Sequence, residues 1–149
     1  MRKLFSTAVI ALASAAAFGQ TIQEAQTLIN NENYYKAKQV LYKVYNTVPE
    51  SKMDAAYYLG NTYLKDDDVD SAKLFYKLAY NPDMRTATSY LANGRMAVLN
   101  GNLVEAKANF DRALQTTKMK NANVYYEIGD AYFSPKVVDV AAAKTNLEA

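Results

Sequence analysis

The fold is decided by the stretch VDSAKLFYKLA at residues 69–79. Its pattern recurs as YYKAKQVLYKV at 34–44 and as LVEAKANFDRA at 103–113. Each copy has a large apolar residue, Ala three positions later, a large apolar or aromatic residue four after that, and a small or apolar residue three further on. The central Ala recurs at spacings of 35 and 34 residues, as Ala37, Ala72 and Ala106. A fixed period of this length predicts stacked helical hairpins.

A second pattern precedes the recurring stretch. It reads LGNTY at 59–63, and IGDAY at 128–132 opens a fourth copy. These residues resemble the tetratricopeptide repeat (TPR) family, whose first helix carries L-G-x-x-Y and whose second carries Ala, an aromatic residue and Ala. The matching residues are Leu59, Gly60, Tyr63, Ala72, Tyr76 and Ala79. In the third copy Gly94 fits the family pattern, but Asn93 and Ala97 replace its Leu and Tyr.

The resemblance implies an all-α fold, a right-handed superhelical α-solenoid of stacked antiparallel helix hairpins with about 3.5–4 TPR units. The TPR domain would occupy 20–149, with units at about 20–51, 52–85, 86–120 and 121–149. Periodicity and caps predict helices near 21–31, 34–47, 52–65, 69–80, 84–99, 103–117, 121–133 and 139–149. The last unit stops within its second helix, which indicates either a piece of a longer array or an open end that associates with another copy.

Local signals refine the helix starts and the packing. Ser51 with Asp54, and Asn102 with Glu105, have the spacing of a capping box. Three glycines stand inside first helices, where Gly costs about 1 kcal/mol relative to Ala. We therefore expect a close approach of the partner helix at each of them, namely Gly60, Gly94 and Gly129.

Residues 1–19 have the features of a cleaved secretory signal peptide. Arg2 and Lys3 precede an apolar, Ala-rich core at 4–18, and small residues favour cleavage before Gln20. We expect export to the periplasm or cell surface, with no membrane span after cleavage. The chain has 17 Lys and Arg against 15 Asp and Glu, so loss of Arg2 and Lys3 leaves a neutral chain. A neutral chain offers no electrostatic footprint for nucleic acid.

Composition excludes most catalytic chemistry. There is no His and no Cys, which rules out Ser–His–Asp and Cys–His arrangements and the usual zinc sites. The five Gly never form a phosphate-binding loop. We therefore expect no enzymatic activity, no cofactor and no metal.

Two acidic sets remain to be interpreted. Asp66, Asp68 and Asp70 have the spacing of a calcium loop, but Ser71 and Lys77 stand where such a loop has Gly and Glu. A solvated helix cap in the turn before the next helix is the favoured interpretation, and an ion site the alternative.

The second acidic set is Glu127 and Asp130, which share one helix face. A solvated acidic face is favoured here. A general acid–base pair is the alternative, and it would need a closed pocket that splits the two pKa values.

In the TPR family the first helices of successive units line a concave groove. The residues of this chain that fall between the packing positions are the candidate groove residues: Tyr57, Tyr58, Asn61, Lys65, Leu91, Arg95, Val98, Tyr126, Glu127 and Asp130. Arg95 and Asn61 could anchor a carboxylate or backbone groups, and Tyr58 and Tyr126 offer flat contact area. The resemblance thus implies a non-enzymatic protein–protein interaction module of the bacterial cell envelope that binds a peptide or helix. The alternatives are a self-associating structural array and an envelope glycan-binding module.

Overall fold

The computed structural model describes residues 21–134, in which all regular secondary structure is helical and no strand occurs. The helices are α1 (21–30), α2 (Tyr34–Thr47), α3 (Lys52–Lys65), α4 (Val69–Ala79), α5 (Ala87–Leu99), α6 (Leu103–Thr116) and α7 (Ala122–Phe133). A short 3-10 turn, Pro49–Ser51, leads into α3. The predicted signal segment and the predicted eighth helix lie outside the described residues. No helix within 21–134 is long and apolar enough to cross a membrane.

Polar side chains at the helix starts determine where most helices begin. In five helices the N-cap side chain accepts a main-chain N–H of the first turn, which satisfies a donor that the helix itself leaves unpaired. These caps are Asn33, Asp68, Thr86, Asn102 and Asn121. The predicted helix start at Asn102 is confirmed, because its Oδ1 accepts from the main-chain N of Glu105 at 3.1 Å, and its Nδ2 also donates to Oε2 of Glu105 at 2.9 Å.

One predicted helix start and one predicted helix cap are wrong. Helix α5 begins at Ala87 rather than near residue 84, because Thr86 is its cap. Ser51 makes no capping hydrogen bond, because the 3-10 turn that ends at this residue carries the chain into α3. Its expected partner Asp54 instead accepts from Oγ1 of Thr88 at 2.5 Å, which links α3 to α5.

Each helix from α2 onward packs against the next one in the chain, and α5 also packs against α3 and α7. One hydrophobic core runs through α1 to α7. The repeat positions occupy equivalent places in it, since the Ala at each of them is fully buried, as at Ala37, Ala72, Ala79, Ala106 and Ala113. Burial in the core therefore recurs with the same period, about 34 residues, as the sequence pattern.

Two of the three glycines fulfil the packing expectation. A Cβ added to Gly60 would lie 2.5 Å from Cε1 of Tyr76, and one added to Gly94 would lie even closer to Cε1 of Phe110. The aromatic ring of α4 or α6 thus occupies the space of the missing side chain. Nothing lies within 4 Å of a Cβ at Gly129 among the described residues, so its predicted close approach is not found there.

Candidate functional site

A buried ionic cluster joins α5 to α7. Arg95, near the middle of α5, is only 1% exposed. Its Nη2 donates to Oε2 of Glu127 at 2.7 Å and to Oδ2 of Asp130 at 2.9 Å. The same nitrogen donates to the main-chain oxygen of Glu127 at 3.1 Å. One guanidinium therefore holds two carboxylates of α7 against α5.

Polar side chains of α3 and α4 complete the cluster. Tyr57 accepts from Nε of Arg95 at 2.8 Å and donates to Oε2 of Glu127 at 2.7 Å. Asn61 donates to the same Glu127 oxygen at 3.0 Å and accepts from the hydroxyl of Tyr76 at 2.8 Å. Four helices thus meet in one hydrogen-bonded set, called the Arg95 cluster below: Tyr57, Asn61, Tyr76, Arg95, Glu127 and Asp130.

The electrostatics keep Arg95 and Asp130 charged. Burial by itself would lower the pKa of Arg95, but Tyr57, Tyr76 and the two carboxylates together raise it well above its ordinary value. Burial by itself would raise the pKa of Asp130, but Arg95 and Lys65 outweigh it, so this pKa is lowered. Burial is also the main reason that the pKa of Tyr57 is raised well above its usual range. Arg95 and Asp130 therefore form an ion pair near neutral pH.

This arrangement corrects the sequence interpretation of Glu127 and Asp130 as a solvated acidic face. Glu127 is only 4% exposed, because α7 lies close enough to α3 and α5 for its carboxylate to contact both. The expectation that Arg95 would face an open groove is wrong for the same reason. An Arg within an amphipathic helix gives no sequence signal of burial, since most Arg side chains are exposed.

Beside the cluster lies a cleft of about 260 Å³, bounded by α1, α3 and α7. Two contacts between its lining residues join α3 to α7: Nζ of Lys65 donates to Oδ1 of Asp130 at 2.9 Å, and Nδ2 of Asn123 donates to the Tyr58 hydroxyl at 3.1 Å. Burial raises the pKa of Tyr58 to about 12. We call this space the α1–α3–α7 cleft, and its lining residues are Gln26, Ile29, Asn30, Tyr58, Asn61, Lys65, Asn123, Tyr126, Glu127 and Asp130.

The ten candidate groove residues fall into three places. Six line the cleft, namely Tyr58, Asn61, Lys65, Tyr126, Glu127 and Asp130. Tyr57 and Arg95 lie in the Arg95 cluster, within the protein. Leu91 and Val98 are both buried in the hydrophobic core, although Leu91 also lines a second cleft of about 280 Å³ between α1, α3, α5 and α7. Val98 is therefore wrong as a groove residue.

Sequence reasoning missed four lining residues: Gln26, Ile29, Asn30 and Asn123. A signal existed for two of them. Gln26 and Asn30 stand 35 residues before Asn61 and Lys65, which is one repeat period. Applying the period to every candidate would have placed them on the same face.

The acidic turn before α4 acts as a helix cap, as the sequence predicted. Asp68 accepts from the main-chain N of Ser71 at 3.0 Å and from its Oγ at 2.7 Å. The side-chain bond is the larger of the causes that lower the pKa of Asp68. Asp66 instead accepts from Nζ of Lys38 at 2.6 Å. Across residues 21–134, no three acidic, His or Cys side chains gather as a metal site would require.

Comparisons of the chain with models of protein families, with curated proteins and with solved structures found no match.

Proposed function

We propose that this chain is a TPR-like right-handed α-solenoid that acts as a non-enzymatic protein–protein interaction module, with a peptide partner bound on the face formed by α1, α3 and α7. The sequence repeat supports the solenoid, as does the contact of α5 with both α3 and α7. The repeated pairing of an aromatic ring with a glycine, Tyr76 on Gly60 and Phe110 on Gly94, supports it independently.

The observation that carries the proposal is the α1–α3–α7 cleft. Four carboxamide side chains line it, from Gln26, Asn30, Asn61 and Asn123. A carboxamide offers both donors and an acceptor, which matches the alternating N–H and C=O groups of a peptide. Tyr126, 56% exposed at the cleft, adds a large aromatic surface of the type that dominates protein interfaces.

A binding role is favoured over catalysis by the state of the ionisable groups. Asp130 is held by both Arg95 and Lys65, and Glu127 by Arg95. A carboxylate whose pKa is lowered, as that of Asp130 is, is a poor proton donor or acceptor near neutral pH. The predicted signal segment further leads us to propose that the partner is a protein of the bacterial cell envelope.

The test is selection from a displayed library of random peptides on the purified chain, followed by calorimetric titration of the selected sequences. Tyr126→Ala should weaken binding about tenfold or more, the usual effect of losing an interface aromatic anchor. The matched control is Tyr35→Ala, because Tyr35 is 71% exposed on α2 and does not line the cleft. Equal binding by both variants, or no selected peptide, would contradict the proposal.

Both variants replace a Tyr by Ala, and they differ in whether that Tyr lines the cleft. Arg95 is unsuited to such a test, since removing it would leave the buried carboxylate of Glu127 without its cation inside the protein.

A second candidate is glycan binding, favoured by one observation. The cleft places the exposed ring of Tyr126 beside the carboxamides and the carboxylates of Glu127 and Asp130, and hydroxyl groups can hydrogen-bond to both kinds of partner. Envelope oligosaccharides added to the same titration distinguish the two. Displacement of a selected peptide by an oligosaccharide, with loss of sugar binding in Tyr126→Ala, would favour the glycan.

A further inference from the structure

We propose that Oε1 of Glu127 is the principal recognition atom of the α1–α3–α7 cleft, and that it accepts a main-chain N–H from an extended, uncharged peptide segment. This inference rests on the proposed function and specifies its ligand.

The two oxygens of Glu127 have different surroundings. Oε2 accepts hydrogen bonds from Arg95, Tyr57 and Asn61. Oε1 accepts none from residues 21–134, although the Glu127 side chain is only 5% exposed. In the same part of the chain, no fully buried side-chain oxygen or nitrogen lacks a partner. Because Glu127 lines the cleft, Oε1 is the atom that it exposes there.

Such an oxygen can accept a strong hydrogen bond from a ligand. A carboxylate oxygen can accept more than one hydrogen bond, and hydrogen bonds to ionised groups are about twice as strong as neutral ones. The Arg95 cluster fixes the direction of Oε1, because the other oxygen of the same carboxylate is held at three points. A ligand donor would therefore meet a preorganised acceptor.

The charges around the cleft favour an uncharged donor. Lys65 and Arg95 balance Glu127 and Asp130, and each acid is already paired with a base. A cationic ligand would have to compete with Lys65 and Arg95, and an anionic one would meet the open oxygen of Glu127. A peptide N–H provides a donor without a net charge.

The contacts between α3 and α7 at the cleft favour an extended segment over a helix. Lys65–Asp130 and Tyr58–Asn123 hold these two walls within hydrogen-bonding reach of each other, whereas a helix with side chains is about 10–12 Å wide. The N–H groups of a helix interior are also already bonded within the helix. An extended strand leaves its N–H and C=O groups available to Glu127 and to the surrounding carboxamides.

The cleft volume limits how much of the peptide it encloses. About 260 Å³ is below the usual range for drug-sized ligands, roughly 300–1,000 Å³. Ile29, Tyr58 and Tyr126 provide the apolar part of the lining. We therefore expect one small or apolar side chain to enter, with the flanking main chain along the rim.

The experiment changes the ligand and leaves the protein intact, so no folding defect can confuse the result. The probe is the tightest-binding peptide selected from the displayed library. Each of its peptide bonds is replaced in turn by an ester, which removes the N–H at almost constant shape. We expect one replacement to weaken binding about 10- to 100-fold, the effect of losing a hydrogen bond to a charged group, and the others to have smaller effects.

A second readout identifies the acceptor. The carbon-13 resonance of the Glu127 carboxyl should shift when the parent peptide binds, and shift much less with the sensitive ester. Uniformly small ester effects, or an unmoved Glu127 resonance, would overturn the inference.

Failure of the inference can be told apart from failure of the proposed function. If Tyr126→Ala abolishes peptide binding while every ester binds normally, the cleft binds peptide but Glu127 is not its recognition atom. If no peptide is selected, or Tyr126→Ala binds normally, both are overturned. A peptide that becomes helical when bound, seen by circular dichroism, would overturn the extended geometry alone.

Discussion

Two kinds of helix contact hold this molecule together. Within the α3–α4 and α5–α6 pairs the contact is apolar, and a glycine receives an aromatic ring, as at Gly60 with Tyr76. Between α5 and α7 it is ionic, and Arg95 holds Glu127 and Asp130. The first contact recurs with the sequence period, whereas the buried ionic contact occurs once among residues 21–134. Shape thus specifies the pairing of neighbouring helices, whereas charge adds to the apolar packing of Val124 and Ala131 in placing α7.

The two contacts should respond differently to substitution. Apolar packing loses stability in proportion to the misfit that a change creates. A buried ion pair contributes little net stability when intact but becomes costly when one partner is lost, since the other charge then stays in the protein without compensation. Breaking the ionic contact should therefore be the more damaging change.

The largest effect is expected for Arg95→Met, which leaves the buried carboxylate of Glu127 without its cation and leaves Asp130 paired with Lys65 alone. We expect the free energy of unfolding to fall by about 3–5 kcal/mol, measured by urea denaturation followed by circular dichroism. The control Lys107→Met removes a cation from the exposed pair with Asp111 and should leave the urea midpoint unchanged. A loss below about 1 kcal/mol in Arg95→Met would mean that the cluster does not fix α7.

The next largest effect tests the apolar contact. Gly94→Ala places a Cβ against the ring of Phe110, and we expect a loss of about 1–3 kcal/mol from overpacking. Gly129→Ala is the matched control, because nothing among the described residues approaches that position. It should stabilise the protein by up to about 1 kcal/mol through helix propensity. A loss at Gly129 as large as that at Gly94 would contradict the assignment of the effect to contact with Phe110.

An acid titration tests whether the ionised carboxylate of Asp130 stabilises the folded protein. The pKa of Asp130 is lowered in the folded protein, so its carboxylate contributes stability above the unfolded pKa of about 3.9. That contribution is lost as the pH falls through the lower, folded pKa. Asp130→Asn should therefore be less stable than the parent at pH 7, and the difference should shrink toward pH 3. Urea midpoints at pH 7, 5 and 3 measure this, and a pH-independent difference would argue against the ion pair.

The smallest effect is expected for Lys65→Met. Its pair with Asp130 also joins α3 to α7, but the Lys65 side chain is 34% exposed. Partly exposed pairs contribute about 0–1 kcal/mol, so urea denaturation should detect a loss in that range. A loss of stability as large as that of Arg95→Met would mean that the Lys65–Asp130 pair is not weaker than the Arg95 pairs, despite its greater exposure.

Much of the helical framework could be predicted from sequence. The bounds of α2 and α3 were predicted at 34–47 and 52–65, and the structure has both. These segments carry the strongest periodic patterns and clear turn residues. The start of α5 could not be placed, because Pro82 and Asp83 give as strong a local signal as the true cap, Thr86.

The candidate site was predicted only in part. Glu127 and Arg95 come together because α7 packs against α5, and no local pattern encodes contacts between residues 32 positions apart. Burial of an Arg therefore depends on tertiary structure. The cleft lining could have been predicted more fully from the sequence, since the repeat period relates Gln26 and Asn30 of α1 to Asn61 and Lys65 of α3.

The central claim is that the α1–α3–α7 cleft binds an extended peptide. The most direct test is a nitrogen-15 NMR titration of the chain with the selected peptide. We predict that the largest shifts fall on the side-chain amide groups of Gln26, Asn30 and Asn123, which line the cleft, while those of Asn46 and Gln115 stay unchanged. Shifts confined to residues outside the cleft, with these three amides unmoved, would contradict the account.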